Sequence, residues 1–364
     1  MIAIVLGTRP EIIKMSPIVR ECQRRGLDHF VLHTGQHYSY AMDRVFFEEL
    51  GLPGAKYNLE VGSGLQGEQT GKIIEGVERT LLRERPDTVL VQGDTNTVLA
   101  AALAASKLGI RVGHVEAGLR CFERRMPEEV NRVLTDHLSD LLFVPTGTAR
   151  ENLRKEGITK GVVKTGNTIV DAVHQNLDLA EKRSNVLHRL GLEDGHYILA
   201  TAHRQENVDQ LEHLQGMVEG LRQVSEELRM TLVFPVHPRT RRRMEEFDID
   251  AQGILLTDPL GYLDFLMLEA NARLILTDSG GVQEEACILR VPCVTMRQST
   301  ERPETIDVGA NVLAGTRSTA ILEMATRMME GKRRWRNPFG DGRAAEKILA
   351  KVVPPGEASL PSSR

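Results

Sequence analysis

The feature that most constrains this chain is an alternation kept up along most of its length: a short β-branched run, a loop of small or polar residues, then a helical pattern. The runs are IAIVL (2–6), HFVLHT (29–34), TVLVQG (88–93), RVGHVEA (111–117) and LLFVP (141–145), then YILATA (197–202), TLVFPV (231–236), GILLTD (253–258), RLILTD (273–278) and PCVTM (292–296). Strands that alternate with helices build right-handed βαβ units, which set the strands parallel. Helices then cover both faces, so such strands read as continuous apolar runs. The expectation is an α/β fold of doubly wound parallel sheets.

Ten such runs are many for one sheet, and the pattern restarts near residue 196. A chain of 364 residues also suits two domains, at about 100–200 residues each. A polar helical segment, roughly Thr168–Leu190, precedes the restart, and the junction is expected near Gly166–Asn167. Residues 1–167 then form a first Rossmann-like domain and 168–353 a second. Their strand carboxyl ends are expected to face a shared cleft, because open α/β sheets bind ligands outside those ends. A last helix, about Asp341–Val352, follows NPFGDG and can cross back to the first domain. The tail 354–364 reads as disordered.

Composition serves mainly to exclude. A hydrophobic fraction of 41% with 26% charged residues describes a chain with a sizeable core. A net charge of -4 argues against nucleic acid as the main partner. Cys22, Cys121, Cys287 and Cys293 form no CxxC pair and no zinc spacing, which fits a reducing cytoplasm. The opening MIAIVLGTRPEIIK lacks the basic flank and apolar length of a signal peptide. No stretch approaches the ~20 apolar residues that cross a bilayer. A cytosolic enzyme is expected.

Polar residues cluster where the strands end. In GTRPEIIK (7–14), Gly7 permits a tight turn, Pro10 suits a helix start, and Arg9 and Lys14 stand a turn apart. This is not GxGxxG, so no nicotinamide cofactor is indicated. The plainer explanation is a capped helix with two solvated cations. In QGDTNT (92–97), Asp94 follows a buried strand, and a helix N-cap explains it equally. In GHVEAGLR (113–120), Glu116 ends the next strand between glycines, where surface charge is a poor explanation. Neighbouring strand ends can bring both carboxylates to one substrate, and such pairs divide into an acid and a base.

In MPEEVNRVLTDHLSD (126–140), Pro127 starts a helix whose dipole Glu128 and Glu129 complement. Glu128 and Arg132 have the spacing of an i,i+4 pair; alternatively Glu128 points into the cleft. TAHRQEN (201–207) sets His203 just past a strand, where it is structural or meets a phosphate, and His237 in PVHPRT is a weaker parallel. LTDSGGVQEEA (276–286) is the strongest local signal. The strand ends, Ser279-Gly280-Gly281 lets backbone amides approach a ligand, and a helix beginning at Val282 adds its dipole, which together make an anion site. Glu284 and Glu285 then fall in the first turn, placed to accept from ribose hydroxyls. RQSTERPE (297–304) sets Arg302 past the next strand.

In this order and spacing, GTRPEIIK, QGDTNT, GHVEAGLR, PEEVNR, TDSGGVQEE and TERPE resemble the non-hydrolysing UDP-N-acetylglucosamine 2-epimerases, from residue 1 to about 350. The likeness is strongest to the archaeal and thermophilic branch. The resemblance implies a glycosyltransferase-B-like fold with the nucleotide in the cleft, a homodimer, and no NAD or metal. It assigns Arg9, Lys14 and the Ser279-Gly280-Gly281 turn to the diphosphate, Glu285 to the ribose, and Arg302, His203 and Phe265 to further nucleotide contacts. Leu260 stands where some members carry Gln, leaving a backbone contact. Asp94, Glu116 and Glu128 match the catalytic positions, with His203 assisting the departing diphosphate. Gln36, Gln69 and His237 fall near a second, activating UDP-sugar site of some members.

The implied reaction interconverts UDP-GlcNAc and UDP-ManNAc. UDP leaves C1 as the C2 proton is lost, and it adds back to the 2-acetamidoglucal while a proton arrives on the other face. A glycosyltransferase of the same architecture, a hydrolysing 2-epimerase and a non-catalytic nucleotide-sugar sensor are the competing readings.

Overall fold

The computed structural model describes residues 1–36, 40–331 and 333–353; the tail 354–364 lies outside them. Two compact units divide the chain: Met1–Gln175 together with the segment from Phe339 onward, and Asn176–Pro338.

The first unit is built on a parallel sheet of seven strands: β1 (Ile2–Leu6), β2 (His29–His33), β3 (Tyr57–Asn58), β4 (Thr88–Gln92), β5 (Arg111–Val115), β6 (Leu141–Val144) and β7 (Val162–Lys164). Their order is β3-β2-β1-β4-β5-β6-β7, and all neighbours are parallel. The direction of winding reverses between β1 and β4. The carboxyl ends at such a reversal form the crevice in which open sheets bind ligands. Gly7-Thr8-Arg9 leaves β1 there, Gly93-Asp94 leaves β4, and Glu116 leaves the adjoining β5.

The second unit carries six parallel strands: β8 (Tyr197–Thr201), β9 (Thr231–Pro235), β10 (Leu255–Thr257), β11 (Leu274–Thr277), β12 (Cys293–Thr295) and β13 (Asn311–Leu313), in the order β10-β9-β8-β11-β12-β13. Its reversal lies between β8 and β11. His203 follows β8 and Asp278-Ser279 follows β11.

All ten apolar runs are strands. The three that sequence patterning passed over, β3, β7 and β13, are two or three residues long and lie at sheet edges. An edge strand has one neighbour and is not buried on both faces, so it can lack the apolar run that marks an inner strand; β10, the fourth edge strand, keeps one in GILLTD. The helix Asn96–Lys107 shows the opposite case. Its alanines at 100–102, 104 and 105 are buried, and their small size lets it pack closely against the helix Gln66–Glu84 and the sheet. The second core gathers Ile198, Leu214, Leu221, Phe234, Leu276 and Ile321 around its sheet.

The segment expected as one helix over Thr168–Leu190 is two, Thr168–Arg183 and Val186–Leu190. The unit boundary falls inside the first of these, past the Gly166–Asn167 point read from the sequence. The reason is the returning chain. Asn167 N–H donates to the Phe339 carbonyl at 2.8 Å. Asp171 accepts from the amides of Ala344 (3.1 Å) and Ala345 (3.0 Å). It thereby caps the last helix, Ala344–Val352, which packs on the helix Arg9–Arg24. The start of the Thr168–Arg183 helix is therefore part of the first unit. No helix among the described residues is long and apolar enough to cross a membrane.

Candidate active site

The turn after β1 is tightly built. A Cβ at Gly7 would stand 2.1 Å from Thr34 Oγ1 and 2.3 Å from Thr97 Oγ1, so only glycine fits. Thr8 caps the helix Arg9–Arg24, and Glu11 closes the box by accepting from the amides of Gly7 (2.5 Å) and Thr8 (2.9 Å). Burial pushes the Glu11 carboxyl up to about 7, against the lowering effect of the Thr95 hydroxyl and the two amides. Sequence reading passed over Glu11, although a Glu three residues past a Thr cap is a recognisable signal. Arg9 is half-buried, its guanidinium 5.6 Å from the centre of the Phe46 ring.

Glu116 has φ 70°. Such a left-handed backbone costs a non-glycine residue about 1–3 kcal/mol and is held only where surroundings enforce it. Lys14 Nζ lies 2.6 Å from Glu116 Oε2, and Gln92 Nε2 donates to the same oxygen at 3.0 Å. Lys14 is thus a buried partner of Glu116, not the solvated cation of the plainer reading. A buried carboxylate needs such a partner.

Asp94 is not the cap of the helix that follows. Thr95 is, its hydroxyl accepting from Val98 N at 3.4 Å. The Asp94 carboxylate is paired instead with Arg132, and Asn131 Nδ2 donates to the Asp94 carbonyl at 3.0 Å. The expected Glu128–Arg132 pair gives way to another: Arg132 Nη1 meets Glu129 Oε2 at 2.9 Å. Glu129 lies on the buried side of the helix Pro127–Leu138, where it also accepts from the amides of Cys121 (3.1 Å) and Phe122 (2.9 Å). Glu128 is exposed at that helix's start.

Gln36 and Gln69 are both buried. Gln36 Oε1 accepts from the Thr97 amide (3.1 Å) and hydroxyl (2.8 Å), and Gln69 Nε2 donates to the carbonyls of Gln36 (2.9 Å) and Gly62 (2.7 Å). They brace the loops around β1 and β4.

In the second unit, Asp278 is fully buried and organises the loop after β8. It accepts from the amides of His203 (3.0 Å) and Arg204 (2.9 Å) and from Asn207 Nδ2 (3.2 Å). His203 Nδ1 lies 3.4 Å from Asp278 Oδ1 while its side chain is 44% exposed. A buried carboxylate thus orients one edge of the imidazole and leaves the other open. His237 lies 6.1 Å away ring to ring, and its Nδ1 accepts from Arg239 N at 3.2 Å. Burial, then the charges of His203 and Arg239, hold His237 below the ordinary histidine range.

Ser279 is the N-cap of a helix that runs Gly280–Leu289, two residues earlier than the Val282 start read from the sequence. Glycine is a poor helix former, which hid these two positions from patterning. A Cβ at Gly280 or Gly281 would meet nothing nearer than 3.9 Å. The fold itself therefore does not require glycine there. Two glycines at a helix start leave the first-turn amides bare, as an anion site needs. The earlier start moves Glu284 and Glu285 out of the first turn. Glu284 is paired with Arg302 at 2.8 Å inside the unit. Glu285 accepts from the Tyr262 hydroxyl at 2.9 Å. Against it lies Glu269, fully buried and pushed well above the ordinary carboxyl range by burial and then by the Glu285 charge. Leu260 and Phe265 are half-buried on the core around Tyr197 and Val282.

A family model described as UDP-N-acetylglucosamine 2-epimerase matches residues 20–353 of this chain. The chain belongs to the UDP-N-acetylglucosamine 2-epimerase family. The UDP-N-acetylglucosamine 2-epimerase of Methanocaldococcus jannaschii is 54% identical over 96% of this chain and 97% of its own length. That of Methanococcus maripaludis is 53% identical over 97% and 98%. A crystal structure of the M. jannaschii enzyme in complex with UDP-GlcNAc and UDP superposes with a TM-score of 0.88, covering 96% of this chain and 99% of that one. The fold is the glycosyltransferase-B-like pair of parallel-sheet domains of this epimerase family.

Proposed function

We propose that this protein is a non-hydrolysing UDP-N-acetylglucosamine 2-epimerase that interconverts UDP-GlcNAc and UDP-ManNAc. The observation that carries the reading is Glu116, a buried carboxylate held in a strained backbone by Lys14 and Gln92, on the strand next to the one that delivers Asp94.

The chemistry needs such groups. C2 of the sugar has no adjacent carbonyl, so its proton is scarcely acidic until UDP begins to leave C1. In this reading the Ser279-Gly280-Gly281 amides, His203, Arg9 and Arg302 carry the charge that develops on the departing diphosphate. Asp94, Glu116 and Glu128 supply the acid and base on the two faces of C2. General acid–base help is worth about 10²–10⁴-fold, on the order of 3–5 kcal/mol. Glu285 receives the ribose hydroxyls, beside the half-buried Leu260 and Phe265. The enzyme works as a cytoplasmic homodimer; the exposed apolar side chains of Leu82, Val130 and Leu134 support self-association.

Proton NMR of UDP-GlcNAc with the purified protein in heavy water tests the reaction. The expected result is deuterium at C2 and growth of UDP-ManNAc with no acceptor present. Accumulating free UDP with free N-acetylmannosamine would make the enzyme a hydrolysing epimerase. Nucleotide binding without exchange would make it a sensor. Sedimentation at a monomer's mass would remove the dimer.

A further inference from the structure

Beneath the two acidic strand ends lies a fully buried histidine that neither motif reading nor the reaction uses. His114, on β5, has an acceptor at each ring nitrogen. Nδ1 is 2.7 Å from Asp136 Oδ1, and Nε2 is 2.8 Å from the Gly93 carbonyl oxygen. A carbonyl oxygen cannot donate, so Nε2 must carry a proton. The second Asp136 oxygen accepts from the Gly118 amide at 3.1 Å and meets Arg120 Nη1 at 2.8 Å. Arg120 itself is shared with Glu156 at 2.7 Å. A carboxyl so engaged is ionised, which leaves the second ring proton on Nδ1. Burial opposes that ionisation, but the charges of His114 and Arg120 hold Asp136 below the ordinary carboxyl range.

What the pair touches gives it a role. The Gly93 amide donates to the Val115 carbonyl at 3.2 Å, so β5 grips Gly93 by both its N–H and its carbonyl. Gly93 immediately precedes Asp94. Gly118, held by the other end of the pair, closes the turn that contains Glu116; a Cβ there would lie 2.4 Å from the Ala149 carbonyl oxygen. One buried ion pair thus anchors the loop before one carboxylate and the turn after the other.

We propose that His114, with a proton on each ring nitrogen and paired with Asp136, positions Asp94 and Glu116 for proton transfer at the sugar. This rests on the assignment of those carboxylates as acid and base. His114 does not touch the reacting atoms; it acts through the two loops.

Two measurements test it. The first is assigned nitrogen-15 NMR of histidine-labelled wild-type protein at the pH of the assay. Both His114 ring nitrogens should bear protons; a neutral ring with one N–H overturns the proposal. The second is steady-state kinetics of C2 exchange in His114→Gln and Asp136→Asn. Misplacing reacting groups by a fraction of their spacing costs on the order of 100-fold, so kcat should fall roughly that far while KM and UDP affinity by calorimetry hold within about threefold. A folded variant with wild-type kcat, or one whose loss lies in KM, overturns it. If neither variant folds, the ring protonation decides. Wild-type protein that shows no C2 exchange would sink the epimerase reading, whereas the protonation of His114 is read independently of turnover.

Discussion

Glu116 shows what a residue in this molecule is asked to hold. It keeps a positive φ and a buried negative charge together, with one lysine and one glutamine as its support. Glu116→Gln keeps its shape and removes the charge, as Asp94→Asn does on the neighbouring strand. Each is expected to reduce epimerisation by at least about 100-fold while UDP affinity by calorimetry survives. Normal turnover in either variant would take that residue out of the chemistry. Glu269 carries a different lesson. Its carboxyl lies well above the ordinary range of 4.5 in the folded state. As pH rises past the unfolded value, the unfolded chain releases this proton and the folded protein keeps it, so stability falls with pH across that interval. Glu269→Gln imitates the protonated acid. It should melt higher than wild type at pH 7, with the difference vanishing near pH 4 as both states of the wild type become protonated; a pH-independent difference would refute the account.

Elements matter here through their ends. Inner strands announce themselves by apolar runs, and every one was legible because burial on both faces demands them. The edge strands β3, β7 and β13 were not, since each is two or three residues long, pairs with a single neighbour and carries no apolar run, unlike the edge strand β10. The helix start at Gly280 was also missed, because two glycines carry little helix propensity. This predicts opposite behaviour for two glycines. Gly280→Ala adds a methyl into open space and should leave the melting temperature equal or slightly higher, by up to about 1 kcal/mol. The same methyl covers the first-turn amides, so UDP affinity should fall about tenfold, which is about 1.4 kcal/mol. Unchanged UDP affinity would deny the turn its anion role. Gly7→Ala drives a methyl into Thr34 and Thr97 and should destabilise by about 1–3 kcal/mol; a wild-type denaturation midpoint would show that the turn relaxes freely.

At the scale of the whole molecule, the chain leaves the first unit inside the helix Thr168–Arg183 and returns to it at Phe339. Asp171 holds the return by capping the last helix from a distance of more than a hundred residues in sequence. Asp171→Ala is expected to cost about 1–2 kcal/mol, the worth of a strong cap, and to lower the melting of the first unit by about 2–4 °C per kcal/mol. Scanning calorimetry that shows no shift would mean that burial of Ile348 and Leu349 alone docks the helix.

Hydrophobic periodicity and strand-end chemistry, both local properties, determined from the sequence alone that this chain forms two doubly wound sheets and which polar residues stand at their carboxyl ends. What only the tertiary structure decided was partnership. Lys14 went to Glu116, Arg132 to Glu129 and Asp94 rather than to Glu128, Glu284 to Arg302, and His114 to Asp136 and Gly93. Charge pairing acts over a few ångströms and falls to residues that the packing of separate elements brings together. Spacing along one helix or strand cannot reveal such a choice.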